Sequence, residues 1–557
     1  ITYKGGGADF LGFDDGTREI PIQNNNLPQF SDVIGNPDGA EGQRYKNILS
    51  KFNKTMAATQ QSSLMDFNVG TSFGNQFKDS LYTHGYNFSV AYKNSTNFYE
   101  NVTYGRWGLS GNLTEKEMDQ RESQKGKLAI NNVLLSGLGS YSIKSTKSKY
   151  GIKLMHLQNG ESKTGLFDFV KTNQGSEFYG VQTNLEYSQR SLSNLLLSGE
   201  HKFDSSNVDL EWKISPTLSR MDDPDIRFTR YEIRNDNFVL GTEAGFPERI
   251  WRGLEEKNVV TLFNTSKTFK REGEDLKINF GGRHTYKNRD YFIKKFQLNV
   301  RNSSSLGLTG NPDEILSNQN LWPNSGNLST GTTYDADFVP INPNKYNAVV
   351  NNYAAYSSAE FEPINRLRAI VGLRAELYKQ QYTGQNQLGT KVFNNDLVMD
   401  NFDLFPTINL VYALSDKQNL RMSGTKTIAI PSLKELSYAE ISDPLTGRTF
   451  IGGLHRDEDQ ANNLTYWDGN LRSSTIYNAD IRWELFLPYA QTFSAGVFYK
   501  ALQNPIEMVQ YTTQAGAFQP RNVGDGQVLG VELEFRKNLI FLSDTLRAFQ
   551  FSLKIVE

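Results

Sequence analysis

The chain has no cysteine, which excludes disulfides, thiolate metal sites and cysteine nucleophiles together, and with them a disulfide-stapled secreted scaffold. It also lacks an excess of charge, with 59 Lys+Arg against 61 Asp+Glu. That balance removes the electrostatic basis for a nucleic-acid partner or a polybasic membrane-surface patch. Histidine is scarce. His84, His156, His201, His284 and His455 never fall in the H-x-x-x-H or H-E-x-x-H spacing of a zinc enzyme. Long apolar runs are missing too, and no stretch approaches the ~18 unbroken apolar residues of a membrane-spanning helix. The mean hydropathy of -0.54 suits a soluble protein. It equally suits a barrel whose strands show lipid only at every second residue. The sequence opens on Ile1 with neither initiator Met nor signal peptide and stops at "FSLKIVE", within an alternating run. It therefore reads as a piece of a longer polypeptide.

What is present in abundance is period-two patterning. In "LRAIVGLRAELY", Leu367, Ala369, Val371, Leu373, Ala375 and Leu377 form one face, with Arg368, Gly372, Arg374, Glu376 and Tyr378 on the other. "LGVELEFR" sets Leu529, Val531, Leu533 and Phe535 against Glu532, Glu534 and Arg536, and "TFSAGVFYK" alternates in the same way. On a helix such charges would scatter over every face.

The spacing between these runs has a rhythm of its own. Short polar turns fall near 75–80 and at 145–148, 204–207, 271–275, 364–366, 415–417, 488–491 and 543–545. Long segments rich in Asn, Gly, Ser and Asp alternate with them, near 107–126, 160–179, 222–255, 298–344, 380–400 and 431–473. Strand, short turn, strand, long loop is the order of an up-and-down antiparallel transmembrane β-barrel, with short periplasmic turns and long extracellular loops. The pattern predicts about seventeen strands, the first and last truncated. Runs such as 86–106 and 181–204 exceed the five or six residues usual for a soluble sandwich.

Several segments then resemble one family. "FPTINLVYALSDKQNLRMSGTKTIAIPSLKEL" (405–436) is similar to a barrel hairpin of TonB-dependent receptors in their Bacteroidota branch, as is "YNADIRWELFLPYAQTFSAGVFYKALQNPIEMV" (477–509). "NVGDGQVLGVELEFRKNL" (522–539) resembles the strand that follows, and "ADFLGFDDGTREIP" the segment carried after the plug at the first external loop. One departure is Ile430, which stands where the family usually has Arg before Pro-Ser. The resemblance implies a single barrel domain over 1–557, about twenty-two strands when complete, with a plug upstream of Ile1 and further strands beyond Glu557. It implies an outer-membrane location in a Gram-negative bacterium, embedded in lipid and lipopolysaccharide. The implied activity is nutrient uptake (siderophore, oligosaccharide, peptide or cofactor) energised by TonB, ExbB and ExbD. Another reading makes the barrel a structural subunit of an outer-membrane assembly, its loops docking surface lipoproteins.

No nucleophile–base pair or catalytic carboxylate pair is legible, so an enzyme is not expected. Arg368, Arg374, Glu376, Arg482, Glu484, Glu532, Glu534 and Arg536 belong to polar faces, where they solvate a lumen and pair with one another or with a plug. Trp251, Trp322 and Trp467 lie in or beside the three longest loops. There they can stack on a sugar or aromatic ligand, or pack one loop on the next. Asp9, Asp14, Asp15 and Arg18, in the glycine-rich opening, can pair locally or contact the plug. No cofactor is expected. Calcium is an option at two external acidic clusters, Asp222, Asp223 and Asp225 or Asp457, Glu458 and Asp459, though neither has EF-hand spacing. The Asn-x-Ser/Thr triplets at Asn87, Asn94, Asn101 and Asn112 look like glycosylation sites but suit chance in so Asn-rich a chain.

Overall fold

The computed structural model describes residues 1–557 except 23–25, 110–113, 174–175, 243, 271–274, 444–445, 490, 513, 515, 542, 544–548 and 557. Among the described residues sixteen long strands form one antiparallel sheet, from Phe67–Lys78 to Gln550–Val556. Each pairs with the long strand before and after it in the chain. Two short strands, Asn237–Val239 and Gly331–Ala336, extend the sheet beside the longer loops. No described helix is long and apolar enough to cross a membrane. The fold is a transmembrane up-and-down β-barrel wall, whose ladder pairs the backbone groups that hydrocarbon would leave unsolvated.

Sixteen is one strand fewer than the alternation suggests. The missing one is the truncated first strand expected at the start of the chain. There Thr2 makes only an isolated bridge with Thr59, while Tyr3 is buried. Residues 1–66 instead hold a helix, Ala40–Lys51, before the first long strand begins.

The short turns lie where the residue types demand them. Asp79 accepts from the backbone N–H groups of Leu81 and Tyr82, and Ser145 closes the turn to Ser148. Asn207 and Arg366 take positive φ at two further turns. Most of the turn expected at 271–275, and parts of those at 488–491 and 543–545, lie outside the described residues. At the other rim four of the six expected loops, 107–126, 160–179, 222–255 and 380–400, are largely strand. Ser148–Asn173 and Ser176–Phe203 stay paired to the ends, and Leu367–Gln385 and Val392–Ser415 leave only 386–391 between them. Their polar composition has a physical cause. Strands of 24–28 residues far outrun the ~9–11 that a bilayer needs, so both faces of the upper parts meet water. Cysteines placed at Thr146 and Asn207 should resist a membrane-impermeant thiol reagent on intact cells, while cysteines at Asn235 and Asn462 should react.

Register fixes which residues share a face. Val371 pairs with Ala359 and Ile408, and Leu373 with Ser357 and Pro406, continuing an exposed apolar band that includes Leu404, Ile481, Val497, Val531 and Ile555. This is the lipid face, and the polar residues between line the lumen. Above the band, each face carries its own packing. On the lipid-face side, residues 27–56 and the segment 306–338 bury Trp251, Phe296, Leu298 and Tyr334 in one cluster. Phe296 meets Phe52 and Trp251 edge-on at 5.1 and 5.7 Å, and Tyr45 stacks on Tyr334 at 4.2 Å. On the lumen side, Leu433, Tyr438 and Ala439 pack against Ile250, Ile293, Val350 and Tyr382.

Candidate functional site: the lumen face and its cap

All eight charged residues read as lumen-facing fall on one face by register. Arg368 pairs with Val411, Val411 with Arg421, Arg421 with Arg482, Arg482 with Gly496, and Gly496 with Glu532, in one row across six strands. The wall neutralises itself. Arg482 reaches Glu534 at 2.8 Å, Glu484 at 3.4 Å and Glu532 at 3.7 Å, and Arg536 reaches Glu534 at 3.7 Å. Arg374 pairs with Glu376 two residues along, and Arg368 with Glu360. Near the short-turn rim the same face helps line a cavity of about 360 Å³, with Glu200, Lys202, Asp209, Glu211, Asn264 and Tyr356 among its lining.

The mouth is capped by the loop 430–473 together with 506–522. Glu440–Asp443, Arg448–Ile451, Ala517–Asn522 and Ile506–Gln510 make a small four-stranded sheet. Asp457–Asp459 and Leu464–Trp467 form a hairpin beside it. The cap is fastened to the wall by directed bonds. The Tyr382 hydroxyl accepts from the Tyr438 N–H at 3.1 Å, and Asn344 Oδ1 accepts from both Glu440 N and Gln387 Nε2 at 2.9 Å. Inside the cap, Gln519 donates to the carbonyls of Gly452 and His455. His455 Nε2 lies 2.8 Å from the Tyr438 carbonyl oxygen, and burial holds the His455 pKa below its ordinary value despite that bond. Between cap and wall is a second cavity of about 110 Å³ holding Arg252, Lys295, Asp337, Asn344 and Glu440. Burial pushes the Asp337 and Glu440 carboxyls above the usual carboxylate range although Lys295 opposes it. Such a chamber offers donors and acceptors of both signs to a polar guest.

The Asp457 carboxylate is buried against Arg521 and accepts from Thr512 N at 3.0 Å. Burial alone would raise its pKa, but those donors outweigh it and hold the group below 3.8. A depressed carboxylate contributes stability above its unfolded pKa and loses it as pH falls through the folded one. The part of the cap's protease resistance that Asp457 supplies should therefore stay constant from neutral pH to about pH 4 and fall below that. In Asp457→Asn the further loss below about pH 4 should vanish, which pepsin digestion over the acidic range would read.

The tryptophans take structural places. Trp251 is a wall residue whose Nε1 donates to the Arg18 carbonyl at 2.8 Å, and Trp322 is 2% exposed in the same cluster. Trp467 Nε1 donates to the Gly453 carbonyl at 2.8 Å within the cap. The glycine-rich opening pairs with itself. Arg18 holds Asp9 at 2.6 Å and Asp14 at 2.9 Å with its guanidinium 4.1 Å from the Tyr187 ring centroid, while Asp15 accepts from Gly7 and Thr17 N–H groups.

The acidic clusters are likewise occupied. Asp223 pairs with Arg252 at 2.9 Å, Asp225 with Arg227 and Arg249, and Glu458 with Arg456 at 2.7 Å. Asp459 accepts from the Ala461 and Asn462 N–H groups. Among the described residues, no group of three or more His, Asp or Glu is set to hold a metal ion. Sequence reasoning missed Tyr382, Asn344 and Gln387, which join cap to wall, and Arg252, which lines the cavity between them; each is an ordinary strand or turn residue until the cap's fold is known.

A membrane-spanning antiparallel wall with an ion-paired polar lumen and a folded external cap defines a large outer-membrane-type barrel. Residues 158–554 match the family described as TonB dependent receptor-like, beta-barrel, and the chain belongs to that family. No curated protein matches it by sequence. Among solved structures, the chain is similar to the siderophore receptor PiuA from Acinetobacter baumannii at 11% identity and a TM-score of 0.43, covering 86% of this chain and 62% of that one. It is also similar to a mutant of the ferric enterobactin receptor PfeA from Pseudomonas aeruginosa, solved with enterobactin, at 12% identity and 0.47, covering 85% and 58%. The ferric-catecholate import receptor Fiu from E. coli K12 aligns at 11% and 0.44, covering 86% and 63%. The chain thus spans about three fifths of these receptors' lengths.

Proposed function

We propose that the chain is the barrel of an outer-membrane receptor that takes up a nutrient in a TonB-dependent way in a Gram-negative bacterium of the Bacteroidota type. The nutrient is a siderophore, oligosaccharide, peptide or cofactor. The reading is supported by family membership and, above all, by the cap. A lumen roofed by a loop fold that encloses a polar chamber is suited to hold a guest before passage. In this proposal a plug precedes the barrel, and TonB with ExbB and ExbD supplies the work. Lipid and lipopolysaccharide surround the wall, no cofactor is required, and no covalent chemistry takes place.

The test is nutrient-limited growth and uptake in strains lacking either the full-length gene or TonB. Both deletions should abolish use of the same nutrient, and restoring the gene should rescue only where TonB is present. Unchanged uptake, together with stable copurification with surface lipoproteins, would establish the structural-subunit role instead.

A further inference from the structure

We infer that the loop Ala8–Phe13 is a lipid-contacting wedge on the outer side of the wall, with Phe10, Leu11 and Phe13 set into the acyl–headgroup boundary of the surrounding leaflet. The inference rests on the barrel fold, whatever the barrel transports.

Register locates the loop. Tyr92 OH donates to the Phe10 carbonyl at 2.7 Å, Gln158 donates to the Gly12 carbonyl, and Asp14 N donates to Gln189 Oε1 at 3.0 Å. Gln158 shares its face with Ile152 and Leu154, both exposed lipid-face residues, and through the ladder with Leu135 and Tyr141. Gly160, on that face, pairs with Gln189, and Val90 stands one step below Tyr92 on the face of Phe88. The loop therefore lies outside the wall and not in the lumen.

Its height follows from counting. Tyr92 is the tenth residue of Thr83–Leu109 and Gln158 the eleventh of Ser148–Asn173, both counted from the short-turn rim. A bilayer is crossed in about 9–11 residues of tilted strand. The loop sits where the lipid band ends.

Its side chains are sorted for that place. Asp9, Asp14 and Arg18 turn inward to pair with one another, while Phe10, Leu11 and Phe13 stand 61%, 38% and 39% exposed. Water would favour the opposite arrangement. The seating is tight, which keeps the three from folding back. A Cβ on Gly160 would fall 2.5 Å from Gly12 Cα, and Gly12 itself takes a φ of 81°. The occupant follows from continuity: the exposed residues extend an apolar band already in lipid, and side chains at this level enter about 5–10 Å into the headgroup–acyl boundary.

The test uses the absence of cysteine in the chain. Single variants Phe10→Cys, Phe13→Cys and, as a control, Glu19→Cys are spin-labelled in the full-length protein reconstituted into phospholipid vesicles. Accessibility to dissolved oxygen and to a water-soluble nickel chelate is then measured. Labels at 10 and 13 should be several-fold more accessible to oxygen relative to nickel than the label at 19. Nickel accessibility equal to that of the control would overturn the inference in favour of a solvated loop. Low accessibility to both reagents would overturn it in favour of a protein covering. Because a label can itself disturb the seating, Phe10→Ser/Phe13→Ser supplies a second reading. It should weaken protection of residues 8–16 from hydrogen exchange in vesicles several-fold, and unchanged protection would count against lipid contact.

Discussion

Asp225→Ala should release residues 1–66 from the outer wall while leaving the barrel folded. Pro224 has no N–H to give the ladder, so the strand Val208–Arg234 bulges there and its register shifts between Asp223 and Ile226. Asp225 takes a φ of 57° on that bulge, a conformation aspartate tolerates better than most residues. Its carboxylate is thereby placed between two buried guanidinium groups. Arg249 Nε lies 2.6 Å from it and Arg227 Nη2 2.8 Å away. The arginines spend their remaining donors on the N-terminal segment: Arg227 on the Thr55 carbonyl at 2.6 Å, Arg249 on the Asn53 carbonyl at 2.8 Å. Removing the carboxylate leaves two cations buried together without a counter-charge, a loss of about 3–5 kcal/mol. That exceeds what the edge-on pair of Phe52 with Phe296 returns, at about 0.5–1.5 kcal/mol. Limited proteolysis should then cut within 1–66, with hydrogen exchange rising in Ala40–Lys51, while the barrel keeps its heat-modifiable migration in gels. A protected N-terminal segment in this variant would show that the triad does not hold it. Replacing Asp225, Arg227 and Arg249 together by apolar residues of similar volume should cost less than Asp225→Ala alone, because no charge is then stranded.

The same bulge shows where sequence reading runs out. "MDDPDIR" reads as an acidic loop because only Arg227 of its partners stands within it; Arg249 and Arg252 lie more than twenty residues away in "ERIWRG", and only the register brings Asp225 beside Arg249. By contrast the alternation in "LRAIVGLRAELY" is local, so the two faces of that strand and the lumen position of Arg374 and Glu376 are legible without any partner. The short turns are legible for the same reason, as Asp79, Ser145 and Asn207 act within three residues of themselves. The long segments are not. Polar composition marks contact with water, and water bathes both loops and the upper strands, so 160–179 looks like a loop and is nearly all strand. The helix Ala40–Lys51 is hidden by a related effect. Its buried residues, Tyr45, Ile48 and Leu49, make a short apolar stripe in an otherwise polar run, and the surface that receives it is assembled from strands some two hundred residues on.

Leu373→Arg should impair folding into the membrane far more than Arg374→Leu, although the two residues are neighbours. Leu373 is the seventh residue of Leu367–Gln385, close to the middle of the part that crosses the bilayer, and is 50% exposed on the lipid face. An arginine there has to desolvate or snorkel, at a cost of about 2–4 kcal/mol near the midplane. Arg374 points the other way, into a lumen where its partner Glu376 keeps water and a second neighbour, Asn352, within reach. Breaking a partly exposed pair of that kind is worth about 0–1 kcal/mol. Denaturant titration of the full-length protein in vesicles, read by the folded band in unheated gels, should separate the two variants by at least about 1 kcal/mol. If Arg374→Leu proved the more damaging, the assignment of faces would be inverted. The loop at Phe10 and Phe13 would then lie in the lumen and the cap at Tyr438 outside it. The one comparison therefore tests the register argument on which the site, its cap and the lipid wedge all depend.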